Sequence, residues 1–296
     1  MMEDYAYNPR DAFEIHIASN CRASRRCWHR LNPVIDLLEQ HQSVFGLYAP
    51  SNGGRRGEPT TNRPASELAK DALAFKNADF LFNGSMEGGV DRGLSAATDF
   101  VTALGQAAGS SKAPYFGLAH PYVVKTPKID PDRAKAVENI SRELNIGAAG
   151  IMFVETESAE EVRQGLAAMR FKSKGGTRPD DVGIAPTIWS MSEQEYRQKA
   201  DLWPLNPEGE LINWTIVESK EGLKPGERIF DADAWENAIQ RVLAACKEFH
   251  VPCGYPANAG DIKMRLKQGF SVFVMNWGDA GFKTIELGRA AADRRK

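Results

Sequence analysis

Three glutamates and one histidine stand where short apolar runs end, and their types define the chemistry open to this chain. Glu155 follows the run GIMFV, Glu218 follows WTIV, Glu87 lies in the turn after FLFNGSM, and His120 follows YFGLA. Carboxylate oxygens are ligands for hard divalent cations. A carboxylate buried without a partner is costly, so an inward-facing Glu155 needs a cation or a donor. Its alternatives are to cap the helix that starts at Ser158 or to pair with a basic side chain. Glu218 holds a cation, begins a helix or forms a surface ion pair. His120 has the imidazole that titrates near neutrality and suits acid–base work, against a purely structural role. Glu87 is a displaced base or a solvated loop carboxylate. Tyr48 and Asn276 follow the first and last predicted strands and are expected at the rim as substrate contacts, as is Asn83 in the turn before Glu87. Lys125 and Lys128, in KTPK, either bind an anion or are exposed lysines ahead of a helix.

Such residues act together only if a scaffold gathers the strand ends. Asn32-Pro33 before VIDLLE predicts a short helix with its proline in the first turn. Residues 44–47 predict a buried strand that runs into a polar loop, 51–66, which is a lid or a disordered segment. Helices are expected over 66–75, 94–107, 132–144, 158–169, 233–249, 259–268 and 285–291. The helix at 158 carries a capping box formed by Ser158 and Glu161. Strands are expected over 80–82, 115–119, 150–154, 212–218, 252–255 and 271–275, and VGIAP (182–186) is a further strand candidate. Short apolar strands alternating with amphipathic helices predict a parallel sheet with helical crossovers. Seven or eight strands, with no GxGxxG after the first, favour a (β/α)8 barrel over a dinucleotide-binding sheet. An altered or absent sixth strand stays open. Residues 1–30 show no clean period and read as an N-terminal arm, with the barrel over 31–296.

The length of 296 residues accommodates a barrel of about 250 residues plus an extension. A formal net charge of −2 gives no electrostatic reason to expect nucleic acid. No apolar run reaches the roughly 20 residues that cross a membrane. The acidic, aromatic N-terminus argues against a Sec signal, and a cytoplasmic location is expected. The four cysteines lack CxxC spacing. Cys21 and Cys27 with His16 and His29 match no common zinc module, and solvated or packed thiols are the simpler reading.

Several segments together resemble the HpcH/HpaI aldolase family of metal-dependent barrels, which includes 2-oxo acid aldolases. Residues 31–47 are similar to the family's opening helix and strand, and ADFLFNGSM (78–86) to its DGEH strand end. LNIGAAGIMFVETESAEE (144–161) resembles its fourth strand and helix, INWTIVESKEGL (212–223) the strand with a metal-binding glutamate, and residues 246–275 the last two strands. The resemblance implies a carbon–carbon lyase that performs aldol or retro-aldol chemistry and releases a small aldehyde or a 2-oxo acid. It also implies a homo-oligomer and a divalent cation, Mg or Mn, held by Glu218. Three departures accompany it. Asn83, Gly84, Ser85 and Met86 replace the turn with the family's histidine base. AlaHisPro (119–121) stands where the arginine after strand three is expected, leaving His120 and Glu87 for proton transfer. The second metal ligand after strand six has no match; Asp231 and Asp233 read better as helix N-terminal residues, and Glu155 is the candidate substitute. A non-catalytic barrel that binds a ligand or partner protein, and a metal-independent lyase, remain as alternatives.

Overall fold

A computed structural model describes residues 30–53, 61–108, 120–217 and 232–292. Helix α1 (Pro33–Glu39) begins as expected. The Asn32 side chain accepts from the Val34 amide, and Pro33 occupies a position whose amide would have no helical partner. Strand β1 (Val44–Tyr48) and helix α2 (Ala65–Ala74) follow, then β2 (Phe80–Asn83), α3 (Val90–Ala108), β3 (Tyr122–Lys125) and α4 (Arg133–Asn145). Strand β4 (Gly150–Phe153) leads into α5 (Ala159–Met169) and two short helices, α6 (Ala185–Ile188) and α7 (Glu193–Lys199). The chain continues through β5 (Ile212–Thr215), α8 (Ala232–Glu248), β6 (Gly254–Pro256), α9 (Ile262–Gln268), β7 (Val272–Met275) and α10 (Asp279–Ala292).

The described strands form one parallel sheet of seven, in the order β5-β4-β3-β2-β1-β7-β6. Strands β1 and β7, near opposite ends of the chain, are neighbours, with Gly46 beside Val274 and Leu47 beside Met275. This is the cyclic order of a barrel wall, with β5 and β6 as the two edges among the described residues. Side chains alternate across the sheet, as strand geometry demands. One face carries Val44, Phe80, Phe82, Val123, Ile212 and Val272, packed with Val34, Ile35 and Leu38 of α1. The other face carries Leu81, Tyr122, Val124, Ile151 and Phe153 and packs on α2–α7. The inner face is filled rather than hollow. A Cβ on Gly46 would lie 2.1 Å from the Phe80 ring, so glycine there admits a large aromatic from the next strand.

Three expectations are corrected. VGIAP is not a strand: Gly183 takes φ 52°, and Pro186 sits in the first turn of α6. Helix α10 begins six residues before the expected 285. Gly281 and Gly288, within α10, serve close packing. A Cβ at Gly281 would sit 1.8 Å from the Asn276 carbonyl, and one at Gly288 would sit 2.5 Å from the Phe45 ring. The Ser158 cap forms, with its hydroxyl accepting from the Glu161 amide at 3.1 Å, but the reciprocal bond of a capping box does not. The buried Glu161 carboxylate instead accepts from the Glu157 amide at 2.9 Å. The expected strand at 115–119 lies outside the described residues, as do residues 1–29 of the N-terminal arm and residues 54–60 of the loop at 51–66.

Candidate active site

In a parallel barrel wall all strands end on one side, and the inward residues of the last layer line the mouth. The register identifies that layer. Lys125 pairs with Met152, and Met152 with Trp214, along β3, β4 and β5. Lys125 follows the inward Val123 by two residues, so it shares that face. Tyr48 closes β1 on the same face, with its ring edge-on to Phe82 at 4.9 Å. On the same face Phe80 and Phe82 meet Trp214 at 4.9 and 6.4 Å and line it with aromatic rings.

The Lys125 ammonium donates to both Glu87 oxygens, at 3.3 and 3.2 Å. The lysine side chain is 11% exposed and the glutamate 40%. The turn after β2 brings Glu87 back over the mouth, with its amide donating to the Gly84 carbonyl. Gly84 separates the two inner side chains: a Cβ there would lie 3.6 Å from Tyr48 Cε1 and 3.7 Å from Lys125 Cδ. Tyr48, Lys125 and Glu87 therefore form one polar cluster around Gly84.

The other expected residues fall elsewhere. His120 precedes β3, at the opposite end of the sheet from Lys125, and is 7% exposed. Burial lowers its imidazole to about 4. It therefore stands apart from Glu87 and Tyr48, as a buried ring at the foot of β3. Asn83 ends β2 on the helix-facing side. Its Nδ2 lies 2.5 Å from the hydroxyl of the fully buried Tyr122, and its Oδ1 accepts from the Ser85 amide at 2.7 Å. Burial pushes the Tyr122 phenol up, and the Asn83 bond offsets part of that. Asn83 thus shapes the turn that carries Glu87, and its amide is directed away from the inner face. Asn276 is exposed at the rim just beyond β7, alongside Tyr48 by register.

Glu155 is half-buried just past β4, in the left-handed region at φ 48°. Such a conformation in a non-glycine residue is strained. Its neighbourhood is acidic. Lys128 bonds Glu157 at 2.8 Å, and its ammonium is held above the usual lysine range first by that bond and further by the charges of Glu161 and Glu155. Glu218 lies outside the described residues. Among the described residues no three of His, Cys, Asp or Glu converge as a cation site, so their donor set does not by itself fit a resident metal ion. Asp231, Cys21, Cys27, His16 and His29 also lie outside, whereas Asp233 is in the first turn of α8, as expected. Cys246 and Cys253 are free thiols, with Sγ atoms 2.7 Å apart.

Several solved structures share this arrangement. An HpcH/HpaI aldolase/citrate lyase family protein from Burkholderia cenocepacia J2315 superposes with TM-score 0.60 at 20% identity, covering 90% of this chain and 100% of its own. The HpcH/HpaI aldolase from Desulfitobacterium hafniense DCB-2 gives 0.57 at 15% identity, over 89% and 96%. This chain shares the fold of the HpcH/HpaI aldolases. Macrophomate synthase gives 0.54 at 16% identity, over 90% of this chain and 88% of that one. No protein-family model matches the sequence, and no curated protein matches it.

With β3 at Tyr122–Lys125, the residue that ends strand three on the inner face is the basic Lys125. The available signal was YVV: two β-branched residues after an aromatic, closed three residues on by Pro127.

Proposed function

We propose that this chain is a carbon–carbon lyase of the aldolase type, acting on a small hydroxylated 2-oxo acid. The supporting observation is the Lys125–Glu87 pair on the inner face of the mouth, near Tyr48 on a face lined with aromatic rings. Lys125 provides a fixed positive charge where a carbonyl or carboxylate oxygen would rest. Partly shielded from water, that charge stabilises an enolate oxygen more strongly than it would in bulk solvent. Glu87 holds the ammonium and has a more exposed carboxylate, which takes the proton of the substrate hydroxyl as the carbon–carbon bond breaks. The bonding electrons pass to the 2-oxo carbonyl, and the fragment that carried the hydroxyl leaves as an aldehyde. Tyr48 and Asn276 border the space the substrate would occupy.

The same reading takes the sheet as the wall of a (β/α)8 barrel, closed between β5 and β6, in a cytoplasmic homo-oligomer that binds a small molecule. No helix among the described residues is long and apolar enough to cross a membrane. A Mg or Mn ion, as in the family the fold resembles, would need Glu218 beside Glu155, and no step above depends on it. The test is retro-aldol cleavage of hydroxylated 2-oxo acids, read as aldehyde release. Lys125→Met should reduce kcat/KM by about 10²- to 10³-fold, as loss of one oxyanion donor does elsewhere, with circular dichroism unchanged. No cleavage by the wild-type chain, with or without added Mg or Mn, would refute the proposal.

A further inference from the structure

We infer that Lys125 acts covalently, its Nζ forming an imine with the carbonyl carbon of the substrate. This rests on the aldolase reading above and changes its electron sink from a carbonyl oxygen to a protein-bound iminium. A lysine that only clamps an anion can stand at a solvated rim. Lys125 instead ends a strand on the inner face, is 11% exposed, has its stem beside Gly84 and Tyr48, and meets a carboxylate with its ammonium. A lysine becomes a nucleophile when it is partly desolvated and a neighbouring base takes its proton. Glu87, in contact with the same nitrogen, is that base, and its more exposed carboxylate can pass the proton onward.

The step balances without a co-reactant. Glu87 takes one proton from the ammonium, and the free amine attacks the carbonyl carbon. A carbon–nitrogen bond forms as the carbonyl π pair moves to oxygen. That oxygen acquires the second amine proton, giving a carbinolamine. Glu87 then returns its proton to the hydroxyl, which leaves as water. The net change is ammonium plus carbonyl to protonated imine plus water. In the cleavage direction Glu87 next accepts the substrate hydroxyl proton. The broken carbon–carbon pair becomes an enamine, and an aldehyde departs. Protonation of the enamine and hydrolysis of the imine release the 2-oxo acid and restore Lys125. Arginine cannot substitute, because its guanidinium keeps its proton.

The experiment is reductive trapping. The full chain is incubated with pyruvate, and separately with the hydroxylated 2-oxo acids of the cleavage assay, in the presence of sodium cyanoborohydride, with and without EDTA. Intact mass and peptide mapping then locate any adduct. The expected result is one reduced substrate unit on the peptide containing Lys125, with loss of cleavage in proportion to labelling and no dependence on EDTA. Lys125→Arg, which keeps the charge and the pairing with Glu87, should take no label. Glu87→Gln should label more slowly near neutral pH and recover as pH rises. Cleavage that proceeds undiminished under reduction, with Lys125 unlabelled, would overturn the imine and leave the lyase reading standing. Equal labelling of Lys125→Arg would also overturn it. Neither cleavage nor label with any of these compounds would sink both.

Discussion

Acidification should destabilise this protein through His120 by an amount the structure sets. The imidazole is 7% exposed, and its ordinary value of 6.5 falls to about 4 because burial penalises the charged ring. The unfolded chain therefore binds a proton in a range where the folded chain does not. Stability contributed by the neutral ring is complete above 6.5 and is lost as pH falls from there through about 4. At about 1.4 kcal/mol per pKa unit, the full loss is on the order of 3 kcal/mol. The perturbation is His120→Leu, which removes the titration and keeps an apolar occupant. Urea unfolding at a series of pH values from neutral to about 4, followed by far-UV circular dichroism, reads the difference between the two proteins. Groups common to both cancel in that difference. Wild type should lose about 3 kcal/mol more than the variant over the range, whatever their relative stability at neutral pH. Retro-aldol turnover by folded His120→Leu should stay within a few-fold of wild type. Parallel pH profiles would refute the buried neutral ring, and a variant that folds but has lost turnover would return His120 to the reaction.

Glu143 on α4 should act in the opposite sense. Its carboxyl is fully buried, and burial raises it well above 4.5, with the Thr126 hydroxyl and the Arg142 charge offsetting only part. A raised carboxyl makes the folded state the stronger proton binder, so this group lowers stability as pH climbs from about 4.5 toward its folded value. Glu143→Gln should be more stable than wild type at pH 8 and lose that advantage near pH 4, by the same urea assay. Gly46→Ala sets a methyl 2.1 Å from the Phe80 ring and should cost about 1–3 kcal/mol, read as a lower urea midpoint. If Glu155 joins Glu218 in holding a cation, Glu155→Gln should weaken Mn binding to the full chain about tenfold or more by titration calorimetry.

Much of the scaffold was legible because its signals are local. Asn32-Pro33 and Ser158 mark helix starts by side-chain bonding to amides two or three residues on, and both caps form. Short apolar runs between helical segments place β2, β4, β5 and β7 within a few residues of where they stand. What failed was set by contacts distant in sequence. The packing of α10 on β1, with the Phe45 ring against Gly288, is one such contact. Nothing local in VGIAP shows that the Ile184 amide will bond the Asn145 carbonyl.

The site was less legible than the fold for a geometric reason. A strand delivers chemistry only at one end and on one face, so an error of a few residues in a boundary exchanges the candidates. Strand three expected at 115–119 makes His120 the residue at the mouth. Strand three at Tyr122–Lys125 puts His120 at the foot and gives the mouth to Lys125. The same alternation separates Asn83, bonded to Tyr122 in the helix layer, from Tyr48 on the inner face. Residue type alone favoured the histidine, because imidazole titrates near neutrality. Burial cancels that advantage by holding the ring neutral to about 4. Lysine carries no such prior, yet it stands inward against Glu87 with little exposure, the placement on which the imine proposal rests.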